Sequence, residues 1–155
     1  MTMTLRDALG RIAPRLRDEV CVHANGFLSR AAFGARDTET CFYMIGSMGL
    51  ASSIGLGVAL ARPDRRVLVF DGDGNVLMNL GTLATIASVA PENLLHLCFD
   101  NSAHASTGAQ PTISDRVLLE QVARAVGYRW AADTARATRR PVALVVKPGL
   151  FDEHA

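Results

Sequence analysis

Two apolar runs constrain the fold of this chain more than any other feature: VLVF at 67–70 and LLHLCF at 94–99. The first is apolar on both faces, as a strand in the middle of a parallel sheet is. Between the two, residues 77–89 read as a helix that ends before Pro91. Upstream, VCVH (20–23) and CFYM (41–44) are further strand candidates, the second followed by a loop and a helix of small residues over about 50–61. An N-terminal helix is expected from Arg6 to about Arg17, weakened by Pro14. Asp115 reads as the N-cap of a helix running to about Val126, and YRW (128–130) and VALVV (142–146) as the last strands. Strands alternating with helices in this way predict an α/β fold, a three-layer parallel sheet with helices on both faces. Ligands of such sheets sit at the carboxyl ends of the strands.

Composition narrows the function. The chain has 155 residues, the size of a single domain, and a formal net charge of +1, so no bulk field points to nucleic acid or an anionic membrane. The Arg136, Arg139, Arg140 patch reads as a solvated face. Three scattered cysteines, Cys21, Cys41 and Cys98, fit free thiols in a reducing, cytoplasmic compartment better than a disulfide framework or a zinc site. The charge-dotted N-terminus is not expected to be a signal peptide. Residues 42–61 carry no charge over twenty positions, long enough to span a bilayer, but four glycines and three serines favour a buried helix preceded by a loop.

Both apolar runs stop on oxygen-bearing residues. The first ends in Asp71-Gly72-Asp73-Gly74-Asn75 and the second in Asp100-Asn101. The Asp-x-Asp-x-Asn spacing is not an EF-hand, because Val76 stands at the sixth position and Thr82 at the twelfth. A dinucleotide fingerprint fails too, since Leu77 and Leu60 occupy the positions of a third glycine. Asp73 and Asn101 are 28 residues apart, one strand–helix–strand crossover, so their side chains can meet across adjacent strands. A carboxylate, an amide oxygen and a main-chain carbonyl suit Mg²⁺ or Ca²⁺, and Mg²⁺ completes its shell with phosphate oxygens and water. Gly74 and Asn75 open a helix, where free N–H groups favour phosphate and glycine lets an anion approach the backbone. A plain Asp-Gly turn is the alternative.

Gly72-Asp73-Gly74-Asn75 followed one crossover later by Asn101 resembles the motif of thiamine-diphosphate-dependent enzymes. MIGSMGLASSIGLG (44–57) resembles the glycine-rich loop that supports the cofactor's aminopyrimidine there. FYMIGSMGLASSIGLGVAL and DNSAHASTGAQPT are similar to the sulfopyruvate and phosphonopyruvate decarboxylase branch of that family, a likeness covering most of 15–126. The resemblance implies a pyrophosphate-binding (PP-type) thiamine diphosphate domain over 1–155. It implies Mg²⁺ held by Asp73, Asn101 and the main chain of Ala103. It implies cofactor contacts from Gly46, Ser47, Met48, Gly72, Gly74 and Asn75, with Met48 wedged under the bent cofactor and the Gly46 carbonyl facing its amino group. Departures are Asp100, where many members have Asn, and Ala31, where Glu follows the Gly-x-x-Ser-Arg stretch of NGFLSR. Only about ten residues separate YRW from VALVV, where the family has a longer helical crossover.

The resemblance also implies a function and a partner. The glutamate that activates the cofactor lies in a pyrimidine-binding domain, for which this length leaves no room; Glu19, Glu39, Glu92 and Glu120 are poorly placed. A separate pyrimidine-domain α subunit is therefore expected to supply it. The implied reaction is non-oxidative decarboxylation of a small anionic 2-keto acid, of the sulfopyruvate or phosphonopyruvate kind, to an aldehyde. Arg30 is the candidate for gripping the anionic tail, with Ser106 and Thr107 as helpers, and His104 for proton transfer or positioning. His23 is a weaker site candidate and His96 a core histidine. A thiamine-dependent carboligase subunit and a non-catalytic scaffold subunit are the alternatives.

Overall fold

The computed structural model describes residues 4–128, 130–133 and 142–147. Six strands form one sheet in the order β2-β1-β3-β4-β8-β7, with β1 Val20–His23, β2 Cys41–Tyr43, β3 Val67–Gly72, β4 Leu94–Asp100, β7 Trp130–Asp133 and β8 Val142–Lys147. A hairpin of β5 (Ala103–His104) and β6 (Gln110–Pro111) stands beside it. The first four sheet strands are parallel, as the doubly apolar runs require.

The chain steps from β1 outward to β2 through α2 (Phe27–Ala35), then back across β1 to β3 through α3 (Ala51–Ala61). It continues to β4 through α4 (Asp73–Met78) and α5 (Gly81–Val89). Right-handed crossovers that run in opposite directions lie on opposite faces. Accordingly α2 packs with α1 (Leu5–Ile12) on one face, and α3 packs with α5 on the other. The direction reverses between β1 and β3, which opens a crevice at their carboxyl ends.

The middle strands are buried throughout: Val67, Leu68, Val69 and Phe70 are all at most 4% exposed. Gly55 shows why α3 is built of small residues. A methyl group there would run into the Val69 side chain, so glycine lets the helix axis lie close to the sheet. No described helix is long and apolar enough to cross a membrane, and residues 42–61 divide into a strand, a loop and α3. All three cysteines are free thiols.

The structure departs from the sequence expectations in five places. The helix expected over 77–89 is two helices broken at Asn79-Leu80, and the first begins at Asp73 itself. Asn79 leaves helical geometry as its amide donates to the Gly49 carbonyl at 3.1 Å, trading helix continuity for a loop contact. Asp115 is not a cap: α6 covers Leu119–Ala125, and the preceding turn is drawn inward by Ser114, whose hydroxyl donates to Asp100. The N-terminal helix stops at Ile12, and a 3₁₀ turn over Ala13–Arg15 accommodates Pro14. Helix α2 was unread in the sequence. Finally, β8 runs antiparallel to both β4 and β7. Eight residues separate β7 from β8, too few for a parallel crossover, which needs a dozen or more.

Candidate functional site

The crevice holds a cavity of about 750 Å³. Its walls come from the segments that follow three strands: Asn25–Ala31 after β1, Gly72–Asn75 after β3, and Asn101–Thr107 after β4. Separate positions in sequence thus meet because each strand of a parallel sheet delivers its C-terminal residue to one edge.

Asp73 is the most constrained of these groups. It is 3% exposed, and its Oδ2 accepts from the Thr112 hydroxyl at 2.5 Å. The main-chain N–H groups of Gly74 and Asn101 face the same carboxylate. Burial, and secondarily the charge of Asp100, push its pKa above the usual carboxylate range, against the lowering effect of these donors. The Ser114 hydroxyl donates to Asp100 Oδ1 at 2.8 Å and lies 3.1 Å from that of Thr112. Two carboxylates are thereby tied through two hydroxyls, and among the described residues neither pairs with a Lys or Arg.

The loop after β4 carries the other expected donors. Asn101 is exposed, and its Oδ1 accepts from the Ala103 N–H at 3.2 Å in a turn whose middle residue, Ser102, has φ 55°. Ala103 lies opposite Pro111, which has no N–H to donate to its carbonyl. These oxygens fit a hard divalent cation. The buried, negatively surrounded carboxylate lacks a protein counter-charge, and an amide and a carbonyl lie one strand away. Among the described residues there is no cluster of three His, Cys, Asp or Glu side chains, so the set is of the kind that phosphate or water completes rather than a closed protein cage.

The loop before α3 is held from α4. The Gly49 N–H donates to Asn75 Oδ1 at 2.9 Å, and Asn79 closes the same clamp on the Gly49 carbonyl. Asn75 therefore spends its side chain on the loop while lining the cavity. Met48 reaches the cavity, whereas Gly46 and Ser47, the latter with φ 54°, are exposed on the loop outside its lining. Gly74 has a role the sequence did not suggest. A Cβ there would lie 2.6 Å from the His104 ring and 3.0 Å from Met48 Cε, so its bare backbone admits two protein side chains. His104 and Met48 thereby both lie against the helix start.

Arg30 is exposed on α2, with its guanidinium 5.8 Å from the centre of the Phe27 ring, and faces the cavity. Its neighbour Ser29 is buried and donates to the Ala24 carbonyl at 2.7 Å, which splits the Ser-Arg pair into an inward anchor and an outward cation. Ser106 packs on Gly26 and Thr107 donates to Gln110; both lie in the cavity wall. His23 is not at the cavity. It is buried, stacked between Tyr43 and Phe70, and its Nδ1 donates to the Phe42 carbonyl at 3.2 Å. His96 is a core residue, with Nε2 donating to Asp71 Oδ2 at 3.1 Å. Sequence reasoning missed Thr112, Ser114 and Asn79 because their partners lie 14 to 39 residues away.

Residues 25–147 match the family described as thiamine pyrophosphate enzyme, C-terminal TPP binding domain. The chain is 46% identical over 155 residues to sulfopyruvate decarboxylase subunit beta of Methanothermobacter thermautotrophicus, covering 94% of this chain and 83% of that one. It is 46% identical over 160 residues to phosphonopyruvate decarboxylase of Streptomyces viridochromogenes, but spans only 40% of that protein's length. With sulfopyruvate decarboxylase subunit beta of Methanococcus maripaludis it shares 44% over 127 residues, 82% of this chain and 68% of the relative.

Proposed function

This chain belongs to the thiamine pyrophosphate enzyme family, as its C-terminal TPP-binding domain, and from that premise we propose that it is the β-type subunit of a two-chain 2-keto acid decarboxylase. The substrate is a three-carbon 2-keto acid with a sulfonate or phosphonate tail, and the product an aldehyde. One observation carries the reading: the carboxylate of Asp73 and the main chain of Asn101 meet at adjacent strand tips inside one cavity.

Asp73, the Asn101 amide oxygen and the Ala103 carbonyl would hold Mg²⁺. Gly72, Gly74, Asn75 and Met48, which line the cavity, would hold thiamine diphosphate, whereas Gly46 and Ser47 stand outside that lining. When bound, that cofactor supplies the electron sink for decarboxylation. The chain's own residues do the rest. Asp73 offers its charge in a buried site, where attraction to a cation is strongest. Met48, next to the Gly49 held by Asn75, would offer an apolar contact to the ligand. His104 presents an imidazole at the wall beside Gly74, placed to orient a substrate or pass a proton to the product. Arg30 offers a guanidinium fork that matches two oxygens of a tetrahedral tail.

No glutamate lines the cavity among the described residues. That supports a partner chain, a pyrimidine-domain α subunit, as the source of the activating carboxylate, and the relatives named as β subunits point the same way. The test is co-purification with such a chain and measurement of CO₂ release. Turnover of phosphonopyruvate or sulfopyruvate is expected only when both chains, Mg²⁺ and thiamine diphosphate are present. Full activity of this chain alone would overturn the two-chain reading. Equal turnover of pyruvate would overturn the anionic tail, and the absence of any Mg²⁺- and cofactor-dependent thermal shift, with or without the partner, would leave only a scaffold role.

A further inference from the structure

Helices α1 and α2 lie side by side, and a second groove of about 710 Å³ runs between them, a small-molecule size. Three arginines line it: Arg6 from α1, Arg30 from α2 and Arg36 just past the end of α2. Among the described residues no carboxylate lines it, and none of the three arginines forms an ion pair. In a chain whose formal charges nearly cancel, such a convergence is not forced by composition. Unrelieved, it is repulsive.

The remaining wall is small. Gly10 and Gly34 both border the groove, and a Cβ built on either meets nothing within 4 Å, so a ligand has room against both helices. Arg36 is held rather than free. Its Nη2 donates to the Arg17 carbonyl, and its own carbonyl accepts from the Tyr43 hydroxyl at 3.0 Å. Its Nη1 is shielded from solvent and has no acceptor among the described residues. An arginine held in place by these bonds loses little side-chain freedom when an anion binds beside it.

We propose that this groove binds a small tetrahedral oxyanion carrying two negative charges, of the phosphate or phosphonate type. A guanidinium fork spans two oxygens of such a group, and three forks outnumber what a single carboxylate can use. Arg6 and Arg30 also border the cofactor cavity, so the groove opens into it; Arg36, Gly10 and Gly34 do not. Arg30 is shared with the decarboxylase reading, whereas Arg36, Gly10 and Gly34 belong to the groove alone.

The test is a titration of the isotopically labelled full chain with inorganic phosphate, at ionic strength held constant with chloride. Amide shifts are expected to centre on Gly10, Ala31 and Gly34–Arg36 and to saturate with a Kd on the order of 1 mM. Arg36→Gln should weaken binding at least about tenfold. Gly34→Leu fills the groove and puts a better helix former into α2, so it should abolish saturation without lowering the melting temperature. A second arm uses phosphonopyruvate. Tighter binding than phosphate assigns the groove to the tail of the proposed substrate, and equal or weaker binding assigns it to free phosphate. Shifts that grow linearly or scatter over the chain, or an unchanged Kd in Arg36→Gln, would overturn the site. Neither variant touches the cofactor cavity, so a chain that fails to bind thiamine diphosphate still gives a readable answer here.

Discussion

Asp71 and Asp73 stand two residues apart at the end of one strand and are 1% and 3% exposed, yet their surroundings are opposite. Asp71 is satisfied within the protein: Oδ2 accepts from His96 and Oδ1 from the Gly72 N–H at 3.0 Å. Asp73 accepts from the Thr112 hydroxyl and from main-chain N–H groups and shares its neighbourhood with Asp100. Burial alone therefore does not make an acid functional. A buried charge answered by the fold is structural, and one left unanswered is suited to a ligand. The same division separates the levels of the sheet. Below the tip, His23 and His96 are stacked or paired inside the core, while at the tip His104 faces the cavity.

The largest effect tests the lower level. His96→Leu leaves the buried Asp71 Oδ2 without its side-chain donor, and denaturant unfolding should show a loss of roughly 3 kcal/mol. A variant of near wild-type stability would break the distinction between the two acids. The next test is a pH profile of stability. Burial, only partly offset by the bond to Phe42, lowers the pKa of His23 from 6.5 to about 4. The folded state then binds fewer protons than the unfolded chain in that window. Stability is full above pH 6.5 and falls as pH drops toward 4, by at most about 3 kcal/mol. His23→Phe keeps the ring stack and should flatten that part of the curve.

At the tip the signature is reversed. Asp73→Asn removes a poorly compensated charge, so the ligand-free protein should melt no lower than wild type. Its affinity for Mg²⁺ with thiamine diphosphate should fall at least about 100-fold, or ~2.7 kcal/mol, read as a lost thermal shift in the complex. A large drop in ligand-free stability would place Asp73 with Asp71. The smallest effect is Thr112→Val, which deletes the hydroxyl that orients Asp73. About a tenfold loss of metal-dependent affinity is expected, with the fold intact by circular dichroism.

Much of this was legible beforehand, for a physical reason. A strand buried on both faces must be apolar, so 67–70 and 94–99 announced themselves, and the crossover between them placed residues 73 and 101 at neighbouring tips. Helix α2 was not legible: it starts at Gly26 with φ 89°, and NGFLSR is too short to display a period. The groove between α1 and α2 was not legible either, because nothing local joins Arg6 to Arg36 at the end of α2.

The sequence alone determined the layered α/β class, the strand-tip location of the site, and the pairing of a carboxylate with an amide one crossover later, since periodicity and spacing are local properties of a chain. Tertiary structure alone decided which of two buried aspartates is answered by a histidine, which hydroxyls tie Asp73 to Asp100, and that Gly74 makes room for His104 and Met48. Those outcomes depend on contacts between residues far apart in the chain, and no local pattern encodes which distant side chain reaches a given oxygen first.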